Sequence, residues 1–217
     1  MLNDGKPEEF NYVSYNDIKR LLPDAKYYNG NGNWVNEVQL TNEGLSSITP
    51  FKIARNMSLK FKQILSDNGR SSKIIVDTSA NVGGNTISFS QYFERVISYE
   101  IKTKTYNALC KNLATYGITN VRTTNADFIK NIKKISKNTN MVFIDPPWYL
   151  NGHQNRYLAL SECYKPHLLP ITEIICRIWS RSSKIIIAIK VPKNYKIPIN
   201  ETMCIQYKKM DILIFIY

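Results

Sequence analysis

From Lys73 to Tyr217, short apolar runs alternate with stretches of helical spacing, and few folds accept that pattern. The runs fall at Lys73–Thr78, Arg95–Glu100, Asn120–Thr124, Met141–Ile144 and Lys184–Val191, each of a length suited to a buried strand. Helices are expected over Gly84–Phe93, over Lys102–Tyr116 with Gly117 as the stop, and over Leu168–Ser180. Strands that alternate with helices form a parallel sheet covered on both faces. The last two runs, Thr202–Tyr207 and Asp211–Tyr217, are separated only by Lys208–Met210. That gap is too short for a parallel crossover, so an antiparallel hairpin is expected there. The expected fold is α/β, a mostly parallel seven-stranded sheet with a terminal antiparallel strand.

Ahead of this pattern, Ile53, Met57, Phe61 and Ile64-Leu65 recur at helical spacing. Thr49 is the expected N-cap, Pro50 suits the first turn, and Asn68-Gly69 ends the helix. Residues 1–48 differ: Gly30-Asn31-Gly32-Asn33 interrupts them, and Tyr12, Tyr15, Tyr27, Tyr28 and Trp34 crowd together. They read as a short N-terminal extension, with a helix near Tyr15–Leu22, laid over the ligand face of a domain spanning 49–217.

Charge is unevenly distributed. The chain carries +12, yet residues 1–50 hold four basic against seven acidic side chains, leaving +15 on residues 51–217. A basic body favours a polyanionic partner, RNA or DNA, against the plainer reading of a lysine-rich solvated surface. The apolar runs Ile185–Ile189 and Ile212–Tyr217 are too short to span a bilayer. Cys110, Cys163, Cys176 and Cys204 have neither zinc spacing nor a disulfide framework. With no secretory signal at the amino end, the expected setting is a reduced one, cytoplasmic or nuclear, with no membrane and no metal. A viral protein acting in a host cell fits the same reading.

The residues that carry chemistry fall at successive strand ends, where open α/β sheets bind their ligands. After the first strand comes Asp77-Thr78-Ser79-Ala80-Asn81-Val82-Gly83-Gly84-Asn85-Thr86, a tight loop entering a helix. Its glycines let backbone approach a ligand. The second strand ends in Glu100, placed to hold two ribose hydroxyls. After the third, Asp127 suits an adenine amine, with Phe128 beside the ring. Duller roles compete: Asp77 bonding loop amides, Glu100 as a solvated charge, Asp127 as a helix N-cap. The fourth strand runs into Asp145-Pro146-Pro147-Trp148. Two prolines fix φ and remove two donors, the Asp145 carboxylate and the Pro146 carbonyl accept from an amine, and Trp148 offers a stacking face. Together these suit a class I, Rossmann-like methyltransferase using S-adenosylmethionine on the exocyclic amine of a nucleobase.

Four blocks resemble the trimethylguanosine synthase family, the RNA cap guanine-N2 methyltransferases: Ser47-Ile48-Thr49-Pro50, Val82-Gly83-Gly84-Asn85-Thr86, Asp145-Pro146-Pro147-Trp148 and Val191-Pro192-Lys193-Asn194. The resemblance runs from about Lys26 to Asn194 and implies S-adenosylmethionine as cofactor and capped RNA as partner. It implies cofactor contacts from Thr49, Asp77, Ala80, Gly83, Asn85, Thr86, Glu100, Asp127, Phe128 and Asp145. Asp145, Pro146 and Trp148 become the catalytic residues. Trp148 is expected to stack on a 7-methylguanine, with Trp34 as the opposing wall and Lys193 and Asn194 toward the cap phosphates. Three departures stand out. Asn81 replaces a family glycine, Tyr149-Leu150 replaces Gly-Gly after the shelf, and Phe51 follows Pro50 where the family has Glu. Two alternatives remain: an amino methyltransferase acting on adenine-N6 or guanine-N2 within DNA or RNA, and a catalytically silent RNA-binding relative.

Overall fold

The computed structural model of the protein describes residues 15–25, 28, 34–146, 170–193, 195 and 200–217. Three short helices come first, α1 (Tyr15–Leu21), α2 (Trp34–Glu37) and α3 (Asn42–Ser47), followed by the long α4 (Phe51–Asp67). Then come β1 (Ile74–Asp77), α5 (Gly84–Ser90), β2 (Arg95–Glu100), α6 (Thr103–Thr115), β3 (Val121–Asn125) and α7 (Phe128–Asn131), the last running into a 3-10 turn. The chain finishes with β4 (Met141–Ile144), α8 (Ile171–Trp179), β5 (Ile186–Pro192), β6 (Met203–Gln206) and β7 (Met210–Phe215).

The seven strands lie in the order β3-β2-β1-β4-β5-β7-β6. Pairs among β1 to β5 are parallel, while β7 is antiparallel to both β5 and β6. This is the expected α/β sheet. The closing hairpin puts the antiparallel strand second from the edge, because β7 folds back between β5 and β6. Order reverses at β1 and β4, so a crevice opens outside their carboxyl ends.

Alternation along the strands divides the core between the two faces. Val76, Val142, Ile144, Ile187, Ile189, Leu213 and Phe215 face α8 and α7. Ile75, Met141, Phe143, Ile186, Ala188, Ile212 and Ile214 face Met57, Phe61, Ile64 and Leu65 of α4. A third cluster joins Ile18, Leu21, Leu22, Trp34 and Leu40 from the first 48 residues to Ile87, Leu109, Leu113 and Tyr116. The first segment thus lies against α5, α6 and the underside of the loop after β1.

One helix start differs from expectation. Pro50, not Thr49, is the N-cap of α4, with no side-chain capping bond. The Thr49 hydroxyl is turned elsewhere, toward the sheet.

Candidate active site

The loop after β1 is shaped by local backbone demands. Asn81 has φ 51° and Gly83 φ 108°, both left-handed. Asn is among the few side-chain-bearing residues that tolerate that region. Here the amide also repays the conformation, its Oδ1 accepting from Val82 N at 2.7 Å and its Nδ2 donating to Ser47 Oγ at 2.9 Å. The departure from glycine therefore leaves the loop intact. At Gly83 a Cβ would sit 3.0 Å from Leu109 Cδ1, and at Gly84 only 2.6 Å from Ile48 Cγ1. The second glycine lets the Ile48-Thr49 segment press against the start of α5.

Carboxylates ring the crevice. Asp77 is fully buried, accepts from Thr86 Oγ1 at 2.7 Å and from Ser79 N at 3.4 Å, and has its pKa pushed up to about 7. Burial is the main cause, and the charges of Asp145 and Glu100 add to it. Glu100, at the end of β2, accepts from Asn81 N and from Lys102 N, each at 2.9 Å. It thereby pins the first loop to the second, and a carboxylate can accept more bonds than these two. Ala80 is buried and donates its N–H to the Tyr99 carbonyl.

Sequence reasoning missed the strongest contact at the crevice. Lys190, on β5, donates from Nζ to Asp145 Oδ2 at 2.7 Å and to Thr49 Oγ1 at 3.0 Å, and all three groups are largely or wholly buried. Burial pushes the Asp145 carboxyl up, and the Lys190 ammonium opposes that shift. Ser79 Oγ donates to the Asp145 carbonyl at 2.8 Å. Asp145 is therefore held through its carboxylate by Lys190 of β5 and through its backbone carbonyl by the first loop, while Thr49 at the start of α4 anchors the lysine. The signal was present in the sequence, since one lysine in the otherwise apolar run from Ile185 to Val191 demands a buried partner.

Other expected site residues are placed differently. Trp34 is 4 % exposed and packs against the Tyr116 ring at 5.8 Å, inside the third cluster. It cannot offer a face to a base, which corrects its assignment as the opposing wall. Phe128 is likewise core, 5.5 Å from the Tyr99 ring. Asp127 caps α7, its Oδ1 accepting from Ile129 N at 2.8 Å. Lys193 pairs with the buried Asp211 at 2.8 Å, so a phosphate would have to compete for it. Pro147, Trp148, Tyr149-Leu150 and Asn194 lie outside the described residues.

An S-adenosylmethionine molecule fits these groups. It is cationic at sulfur and at its amino group, and Asp77, Glu100 and Asp145 supply negative charge around the crevice. Asn85 Oδ1 and Thr78 Oγ1 are buried acceptors at the same loop with no partner among the described residues. Buried acceptors of that kind call for a donor from outside the chain.

Strand order, left-handed loop and strand-end carboxylates together define a class I S-adenosylmethionine-dependent methyltransferase. Residues 72–207, more than half of the chain, match the profile of the RNA cap guanine-N2 methyltransferase family, and the chain belongs to that family. S-adenosylmethionine is its cofactor. Among relatives, uncharacterized protein L320 of Acanthamoeba polyphaga mimivirus is 25% identical over 160 residues. That match covers 72% of this chain and 61% of the viral protein. The fold is shared with a hypothetical protein of Thermus thermophilus, TTHA0928, at TM-score 0.59 and 10% identity, over 83% of this chain and 92% of that one. It is shared also with an RNA methyltransferase of Salinibacter ruber solved with S-adenosyl-L-homocysteine, at TM-score 0.53 and 9% identity, over 77% and 91% of the two chains.

Proposed function

We propose that the protein transfers a methyl group from S-adenosylmethionine to the exocyclic N2 amine of guanine in a 7-methylguanosine RNA cap. The observation that carries this reading is the clamped Asp145 at the end of β4, within a chain of this family. Lys190 holds one carboxylate oxygen, and the other, Oδ1, points the acceptor at the amine. The Pro146 carbonyl is the second acceptor. With both hydrogens fixed, the amine lone pair faces the methyl donor, and such placement supplies much of the rate where the donor is already activated. The cofactor supplies that activated methyl. Glu100 takes the ribose hydroxyls, and Asp77, Ala80, Gly83, Asn85 and Thr86 form the cradle. Thr49 completes the cofactor side, its hydroxyl anchoring Lys190.

Trp148 follows the shelf directly in sequence and takes the base face. A 7-methylated guanine is cationic, so stacking gains about 1–2 kcal/mol from cation–π attraction when desolvated. Capped RNA is the proposed partner, and the mimivirus relative supports only the further reading that the protein is viral and acts in a host cell. Incubation with labelled S-adenosylmethionine and unmethylated cap, 7-methylated cap or uncapped RNA tests this. Label should enter the 7-methylated cap. Label only in uncapped RNA would favour an internal adenine or guanine target instead.

A further inference from the structure

We propose that the exposed face of α4, together with the turn between β6 and β7, is a track for the RNA chain that adjoins the target nucleotide. The inference rests on the proposed RNA substrate, and it assigns a surface that the crevice residues leave unexplained. From Phe51 to Ser66, α4 carries Lys52, Arg55, Lys60 and Lys62 and no carboxylate; its one acid, Asp67, lies at the far end and accepts from Gln63. Lys52, Arg55 and Lys60 are exposed, whereas Met57, Phe61 and Leu65 are buried. Eight residues at 1.5 Å each place Lys52 and Lys60 about 12 Å apart along the axis. That is about three to four stacked nucleotides at roughly 3.4 Å each.

Three contacts order side chains along this surface. Tyr207 Oη donates to Asn56 Oδ1 at 2.9 Å, and Lys60 Nζ lies 5.6 Å over the Tyr207 ring. Arg55 Nε donates to Tyr92 Oη at 3.1 Å. Tyr207 thus docks the β6–β7 turn on α4 and holds the exposed Lys208 and Lys209 beside Lys60. Register puts that turn at the active-site end of the sheet, because Met210 pairs with Pro192 at the carboxyl end of β5. The amino end of α4 reaches the same rim, where Thr49 accepts from Lys190 and Lys190 pairs with Asp145. Cationic side chains on α4 and the β6–β7 turn therefore lie toward the same end of the sheet as Asp145. Their chemistry is that of repeated phosphate contact by lysine and arginine.

The test is the triple variant K52A/K60A/K208A beside an equal-charge control, K130A/K133A/K134A, whose lysines are exposed on α7 and the 3-10 turn after it. Fluorescence anisotropy with single-stranded capped RNA of about 12 nucleotides reads binding, and a cap dinucleotide with labelled donor reads methyl transfer. The track variant should bind RNA at least about tenfold more weakly near 100 mM salt, with a salt slope lower by about 2, as expected for three lost contacts to a single strand. Its turnover on the dinucleotide should stay within about twofold of the parent, and the control should match the parent throughout. Unchanged RNA binding in the track variant, or an equal loss in the control, would overturn the track. So would displacement of the RNA by polyglutamate at equal charge concentration. Methyl transfer to none of the substrates, with the anisotropy difference intact, would instead overturn the methyl-transfer reading and leave the track standing.

Discussion

Lys190 and Asp77 are the residues where burial and charge are most tightly coupled. Removing one member of a buried pair costs about 3–5 kcal/mol, because the other charge is left desolvated. Lys190→Met should therefore lower stability by about that amount near pH 8. Without the ammonium, burial alone acts on Asp145 and raises its folded pKa further above the unfolded value. Such a group contributes stability at low pH and loses it as pH rises, so the deficit of Lys190→Met should shrink toward about pH 5. Adding Asp145→Asn should recover much of the loss. Denaturant melts of the three variants at both pH values check this, and a deficit independent of pH would dissolve the pairing. Asp77 follows the same sign. Its folded pKa of about 7 lies above the ordinary carboxylate value, so the stability it adds is complete below about pH 4 and is lost as pH rises through about 7. The ionised form, however, is the one that attracts a cation. Affinity for S-adenosylmethionine should rise between about pH 6 and pH 8 while the free protein becomes less stable, and Asp77→Asn should flatten both trends. Titration calorimetry across that range decides it, and an affinity that falls with pH would refute the role.

At the scale of elements, Gly84 shows how closely two segments meet. A methyl group there would lie 2.6 Å from Ile48 Cγ1 and 3.1 Å from the Thr49 carbonyl oxygen, and the latter is backbone. Alanine would normally favour a helix start by up to about 1 kcal/mol. Overpacking of about 1–3 kcal/mol outweighs that gain, so Gly84→Ala should be destabilised and should bind the cofactor more weakly. A denaturation midpoint equal to the parent's would mean that the Ile48-Thr49 segment moves freely. The larger elements were legible in the sequence because their signals are strong: β2 and β4 have the expected bounds, and the hairpin follows from a gap too short for anything else. The short helices α2, α3 and α7 were not. They run four to six residues, below the length at which periodicity registers, and they exist through tertiary contact. The strand-end positions of Asp77, Glu100 and Asp145 were legible for the same reason as the strands. The inward turn of Trp34 and Phe128 was not, since residue type alone does not separate a stacking aromatic from a core one.

For the whole molecule, the sequence suggests a boundary at residue 48, and the packing argues against a separable piece. Ile18, Leu21, Leu22, Trp34 and Leu40 share one core with Ile87, Leu109, Leu113 and Tyr116. Polar groups cross the same seam. Tyr116 Oη donates to the Pro23 carbonyl at 2.6 Å, and Asn112 both donates to the Gln39 carbonyl and accepts from Gln39 N. Asn112 Nδ2 also donates to the Val82 carbonyl, so the seam reaches the cofactor loop itself. Deleting residues 1–48 would expose several large side chains at about 1.5–3 kcal/mol each, and it would strip buried polar groups of their partners. The loss is comparable with the whole stability of an ordinary domain, about 5–15 kcal/mol. A fragment of residues 49–217 should therefore bind a hydrophobic dye, unfold without cooperativity and fail to bind S-adenosylmethionine. Tyr116→Phe in the full chain removes only the bond to Pro23 and should cost about 1–3 kcal/mol, with cooperative unfolding kept. If instead the fragment melts cooperatively at the temperature of the full chain, the first 48 residues are an appendage and the third cluster contributes little to the fold.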